Sequence, residues 1–152
     1  MAKPPPVTDI LARFVAETDY SNISEPALTN AKMHVLDTLG VALVGVATDA
    51  PQIVLNYCKR FGDSQEAALW GTRQRSSAPM AAFANGVFAH AIHYDDWEPF
   101  IHPGHPSSMV VGAALTLAES IGASGRELLK AYVLGIEVLT KISGASPNLQ
   151  ER

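Results

Sequence analysis

Four stretches of the chain, LDTLGVALVGVA (36–47), PMAAFANGVFAHAI (79–92), MVVGAALTLAESIG (109–122) and LLKAYVLGIEVLTKIS (128–143), restrict the fold more than any other feature. Each is too long for an ordinary strand, and its apolar residues recur at the three- and four-residue spacing of a helix rather than alternating. Alanine and glycine are frequent in them, which predicts close helix contacts instead of large aromatic packing. The first, third and fourth of them also carry apolar residues on more than one face. The chain therefore reads as all-α, a helical bundle of about six helices. Either the bundle is compact, or it is one layer of a larger assembly whose remaining surface lies in another segment or chain. The second reading accounts better for the surplus of apolar faces.

The helices are punctuated by ordinary start and stop signals. Residues 1–7 read as a flexible lead, and Thr8 or Asp9 as the first cap, followed by the stripe Ile10, Leu11, Phe14, Val15. Ser24 caps the second helix, with Pro26 in its first turn, where a missing N–H costs nothing. Past Gly40 nearly every residue is apolar, which predicts burial all round. Asp37 lies inside this helix as a structural hydrogen-bond anchor or a residue facing a polar cleft, because a buried carboxylate needs partners. A third helix over 51–61 stops at Gly62. EAALWG (66–71) is a brief strand near 66–70 or an extended lead-in, and GTRQRSS is a loop. Ser76 or Ser77 starts the fourth helix. Gly86 in its middle costs roughly 1 kcal/mol against alanine and so marks a close backbone contact. Ser107 or Ser108 starts the fifth helix. Ser124 with Glu127 forms a capping box for the sixth. The helical domain spans 8–145, and 146–152 is a polar tail.

Composition removes several function classes. The 152 residues carry 11 basic and 15 acidic side chains, a net charge of −4, so there is no basic footprint for nucleic acid. The most apolar run, 39–47, is too short to span a membrane, and the N-terminus has no signal-peptide core. The single cysteine, Cys58, rules out an internal disulfide and suits a reducing compartment; it reads as a buried thiol, not a nucleophile. A soluble cytoplasmic protein is expected. No GxSxG, GxGxxG or phosphate-loop motif is present, so no nucleotide cofactor is expected.

The chemistry concentrates in HAIHYDDWEPFIHPGHPSS (90–108), with four histidines and two adjacent aspartates. Its three prolines exclude a continuous helix. His90 and His93, His102 and His105, with Asp95 and Asp96, could offer metal ligands, but their spacing matches no compact zinc signature. No metal and no cofactor is therefore the preferred expectation. His90 extends the fourth-helix pattern and reads as a structural core histidine bonded to a backbone carbonyl. Acid/base chemistry suits the segment better, because histidine titrates near neutrality and carboxylates can orient it. His105 precedes the fifth helix, whose free N–H groups over 107–110 could receive a substrate carboxylate.

HAIHYDDWEPFIHPGHPSSMVVGAALTLAE resembles the signature of the MmgE/PrpD family, which contains 2-methylcitrate dehydratases, cis-aconitate decarboxylases and an iminodisuccinate epimerase. ALTNAKMHVLDTLGVALVG, ALWG and APMAAFANGVFAHA resemble the family's opening, so the likeness covers nearly all of 8–145. It implies a large helical domain built from both ends of a much longer chain. It also implies a catalytic lysine and histidine from later segments, so the present chain would be the N-terminal portion of that domain, truncated or one half of a split enzyme. The family's HPS histidine falls on His105 and its paired acidic positions on Asp95 and Asp96. The aspartate before them falls on His93, however, and the threonine after them on Trp97.

The resulting expectation is part of a lyase acting on a small di- or tricarboxylate, by proton abstraction α to a carboxylate leading to dehydration or decarboxylation. His105, His93, Asp95 and Asp96 would be catalytic, and Trp97, Ser107, Ser108 and His102 would contact substrate. An epimerase on a similar substrate is one alternative. A non-catalytic helical remnant or oligomerisation subunit is another, favoured by the departures at His93 and Trp97. The expected partners are the carboxylate substrate and a second polypeptide or later segments, or a homo-oligomer, with no nucleic acid and no membrane.

Overall fold

A computed structural model describes residues 6–62, 64–98 and 104–145. The elements run α1 (Val7–Glu17), a 3-10 turn (Tyr20–Asn22), α2 (Glu25–Gly45), α3 (Asp49–Phe61), β1 (Ala67–Ala68), β2 (Arg75–Ser76), α4 (Ala78–His90), α5 (Pro106–Ile121) and α6 (Gly125–Gly144). This is the all-α class expected, with one minimal hairpin in which Ala67 pairs with Ser76 and Ala68 with Arg75. The strand sought near 66–70 is therefore present. Its partner falls within what reads as loop, because two residues show no periodicity.

Start signals hold where a side chain can reach the exposed N–H groups. Ser24 accepts from Ala27 N at 3.4 Å, and Ser124 and Glu127 form the reciprocal capping box. Elsewhere the helix begins differently. α1 starts at Val7 after Pro6, which leaves Thr8 and Asp9 inside its first turn, so neither is the cap. α4 follows Ser77, but its first N–H, Ala78 N, donates 2.9 Å to Glu66 Oε2 from the hairpin. α5 opens one residue earlier than expected, with His105 as its cap residue and Pro106 in the first position, which tolerates a missing N–H. It ends at Gly122 in the left-handed region (φ 67°).

α4 and α5 form the central pair. A Cβ on Gly112 would stand 3.2 Å from Gly86 Cα, so the two glycines let the backbones touch. α2 crosses α4 as closely, since a Cβ on Gly45 would collide with Phe88 O. Around this seam lie the fully buried Phe88, Leu69, Val111, Ala42, Ala81 and Ala84. One polar residue ties the hairpin to it. Buried Asn85 accepts from Trp70 N (2.9 Å) and donates to Ala68 O (3.0 Å) and Thr116 Oγ1 (3.1 Å). Glu119 holds the hairpin's outer side, accepting from Ala68 N at 3.0 Å and pairing with Arg75 at 2.8 Å.

Two expectations for α2 fail. Beyond Gly40, Val41 and Ala42 are buried, but Leu43 and Val44 are 57% and 61% exposed, so the helix is not covered all round. Asp37 is exposed and belongs to that uncovered side with Met33 and Leu36, so it is neither a buried anchor nor a member of the histidine site. The reason is angular: helix positions 31, 38 and 42 face the core, and position 37 lies roughly a third of a turn around the helix from them. Uncovered apolar residues recur on α1, α3 and α5 (Ile10, Ile53, Leu117), and α1 has no buried residue. Among the described residues no single helix is long and apolar enough to cross a membrane. The tail at 146–152 and most of the N-terminal lead lie outside the described residues.

Candidate functional site

The histidine-rich segment turns between the end of α4 and the start of α5, the two helices packed through Gly86 and Gly112. That seam fixes the helix ends and brings distant parts of the segment together. Asp95 is at the centre of the turn, with its side chain fully buried. His90 Nδ1, at the end of α4, lies 2.9 Å from Asp95 Oδ2 and 3.2 Å from Oδ1. His105 Nδ1, at the start of α5, lies 3.2 Å from Oδ1, within ion-pair distance but without hydrogen-bond alignment. An ionised carboxylate only accepts, so it draws the proton of His90 to Nδ1 and leaves the Nε2 lone pair free. His90 is thus not a core histidine on a backbone carbonyl. Its side chain is 42% exposed and its partner is a carboxylate.

His93 joins these two. Its backbone adopts φ 50°, a left-handed conformation that costs a non-glycine residue about 1 kcal/mol. Its ring stands edge-on to that of His90 at a centroid distance of 4.5 Å and to that of His105 at 5.9 Å. Trp97, 58% exposed, covers His105 at 5.1 Å. His90 and His105 also border an open apolar cavity of about 530 Å³, walled by Phe83, Gly86, Val87 and Met109.

Asp96 does not face His105. Its carboxylate caps α5 instead, accepting from Ser107 N at 3.1 Å and from Ser107 Oγ at 2.7 Å. Because the one hydroxyl proton of Ser107 goes to Asp96, Tyr132 from α6 must donate to Ser107 Oγ, 2.7 Å away. Burial, followed by the nearby Asp96 charge, pushes the Tyr132 hydroxyl up to about 12, although its bond to Ser107 pulls the other way. His34 of α2 lies 3.9 Å from Asp96 Oδ2. The helix start expected to receive a substrate carboxylate therefore already holds one of the chain's own.

Ser107 is buried with both donors engaged. Ser108 is buried too, and its hydroxyl donates to His105 O at 2.9 Å. Neither serine offers a free hydroxyl proton to a substrate. His102 lies outside the described residues. Tyr132 and His34 escape a sequence reading because they come from other helices, and nothing in their local spacing sets them apart. Cys58 of α3 is buried, and burial pushes its thiol up, against a role as nucleophile.

An all-α domain with a histidine–aspartate turn between two glycine-packed helices is the class that fold and site define. The chain belongs to the MmgE/PrpD family, whose MmgE/PrpD N-terminal domain matches residues 9–151. It is 31% identical to the cis-aconitate decarboxylases of Homo sapiens (135 residues) and Mus musculus (138 residues), in each case over 87% of this chain and 28% of the relative. It is 28% identical to the cis-aconitate decarboxylase-like protein oryM of Aspergillus oryzae, over 91% of this chain and 30% of the relative. The chain spans less than a third of the length of these relatives.

Proposed function

We propose that the chain supplies part of the active site of a lyase that acts on a small di- or tricarboxylate by removing a proton α to a carboxylate, with decarboxylation favoured over dehydration. The observation carrying this reading is the His105–Asp95 pair beside the cavity, in a chain similar to cis-aconitate decarboxylases. His105 moves the proton, and Asp95 holds His90 by a hydrogen bond and stands within ion-pair distance of His105. His93 is a second proton carrier or a contact for a substrate carboxylate. Trp97 narrows the approach to His105.

In the working enzyme, later segments of a longer chain or a second polypeptide cover the apolar faces of α2, α3 and α5 and complete the site. A cytoplasmic location accords with one buried, unpaired cysteine.

The test is turnover of cis-aconitate and a panel of related di- and tricarboxylates by the protein as purified from its own cells, with products followed by NMR. His105→Asn, which removes the titrating imidazole, is expected to cost about 10²–10⁴-fold in kcat. No turnover of any member of the panel, or full activity in His105→Asn, would sink the reading. A proton exchanged at the α carbon without loss of CO2 or water would instead identify an epimerase. Native mass spectrometry of the same preparation reports whether a second polypeptide is bound.

A further inference from the structure

We infer that His90, His93 and His105 form a binding site for one divalent first-row transition ion, zinc in type, with Asp95 as the carboxylate hydrogen-bonded to His90 behind the ligands. This does not depend on the proton-transfer reading and competes with it at His105, because a ring nitrogen that holds an ion cannot carry the proton.

One ring nitrogen from each of the three residues lies within 4.8 Å of those of the other two. At that spacing three neutral rings can turn their lone pairs toward one cation. Zinc–imidazole bonds of 2.0–2.1 Å in a tetrahedral site set the nitrogens about 3.3 Å apart. His93 is exposed and can swing inward to reach that spacing.

The second observation is Asp95. Metal-bound histidines commonly give their other ring N–H to a carboxylate, which fixes the tautomer and strengthens the metal-binding nitrogen. Here one fully buried carboxylate is hydrogen-bonded to Nδ1 of His90 at 2.9 Å, which turns the His90 Nε2 lone pair away from it, and stands 3.2 Å from Nδ1 of His105. The left-handed backbone of His93 is the third, since strain of this kind persists where the surroundings impose it and gathers at functional sites. Three neutral imidazoles suit zinc, copper, nickel or ferrous ions, not magnesium or calcium.

The three ligands leave a fourth position open, and the cavity beside His90 and His105 gives it an approach. An ion with three neutral ligands keeps its full charge, so that position would accept water or a carboxylate oxygen. The spacing in sequence, three residues and then twelve, hides the site. It forms only because α4 and α5 bring their ends together.

The experiment is direct metal analysis of the protein as purified, then titration of chelator-treated protein with ZnCl2 by calorimetry and with CoCl2 by visible absorption. One equivalent per chain is expected, with the d–d bands of nitrogen-ligated cobalt. His93→Asn removes one ligand while keeping a residue that tolerates the left-handed backbone, and is expected to weaken binding at least 100-fold. Asp95→Asn should weaken it by 10–100-fold, and His34→Ala should leave it unchanged. Circular dichroism checks that each variant is folded. Binding only in the millimolar range, or unchanged binding in folded His93→Asn and Asp95→Asn, overturns the site. Chelation separates this inference from the proton-transfer scheme. Metal binding without any carboxylate turnover sinks only the lyase reading, whereas turnover by protein that binds no metal sinks only the ion.

Discussion

Asp95 and Asp96 are neighbours in sequence and serve opposite sides of the same turn. On the Asp96 side every hydroxyl proton is spent: Tyr132 donates to Ser107, and Ser107 donates twice to Asp96. On the Asp95 side one buried carboxylate faces two imidazoles, a third ring stands beside them, and ring lone pairs are left over. A satisfied network holds a helix in place, and a network with free lone pairs can do chemistry. Proximity to the histidines therefore does not decide which aspartate acts. The direction in which each carboxylate points does.

The largest effect expected on stability is at Asp96. Asp96→Ala removes the α5 cap, leaves the buried Ser107 hydroxyl without its acceptor, and is expected to cost about 3 kcal/mol of unfolding free energy, read by urea denaturation. Asp95→Asn keeps the shape of the side chain and gives up its charge. Its effect should fall on function, at about 1.5–3 kcal/mol of transition-state stabilisation, or roughly ten- to a hundredfold in kcat. If Asp95→Asn instead unfolds the chain as readily as Asp96→Ala, the division between a structural and a chemical side fails.

How much of this was legible in the sequence follows from the range of each interaction. The helices and the Ser24 and Ser124 caps rest on residues within one or two turns, and each stands where local rules put it, whereas Gly86 announced a close contact without naming its partner, Gly112 of another helix. His105, Asp95 and Asp96 stood out as a dense polar segment, and the likeness to the family singled them out further. The division of labour between the two aspartates was not legible, because it depends on Tyr132, thirty-six residues beyond Asp96. Asp37 misled for a related reason. Its apolar neighbours in sequence suggested burial, but the face it occupies is one that no described residue covers. The same uncovered faces leave Leu43 and Val44 exposed, so an apolar sequence run reports what a helix can bury, not what this chain buries.

A smaller effect sharpens the comparison from α6. Tyr132→Phe removes one hydroxyl at the end of the satisfied chain but leaves Ser107 bonded to Asp96, so it should cost only about 1 kcal/mol at neutral pH. Its signature is in the pH dependence. The folded state holds the Tyr132 proton up to about pH 12, whereas an unfolded tyrosine releases it near pH 10. The folded protein therefore binds the proton more tightly, and stability falls as pH rises between those values. The contribution is fully present below pH 10 and is lost as pH passes through 12. Urea titrations across this window should show wild type losing stability more steeply than Tyr132→Phe. Parallel curves would mean that Tyr132 is not sealed against Ser107, and that the Asp96 side is as open as the Asp95 side.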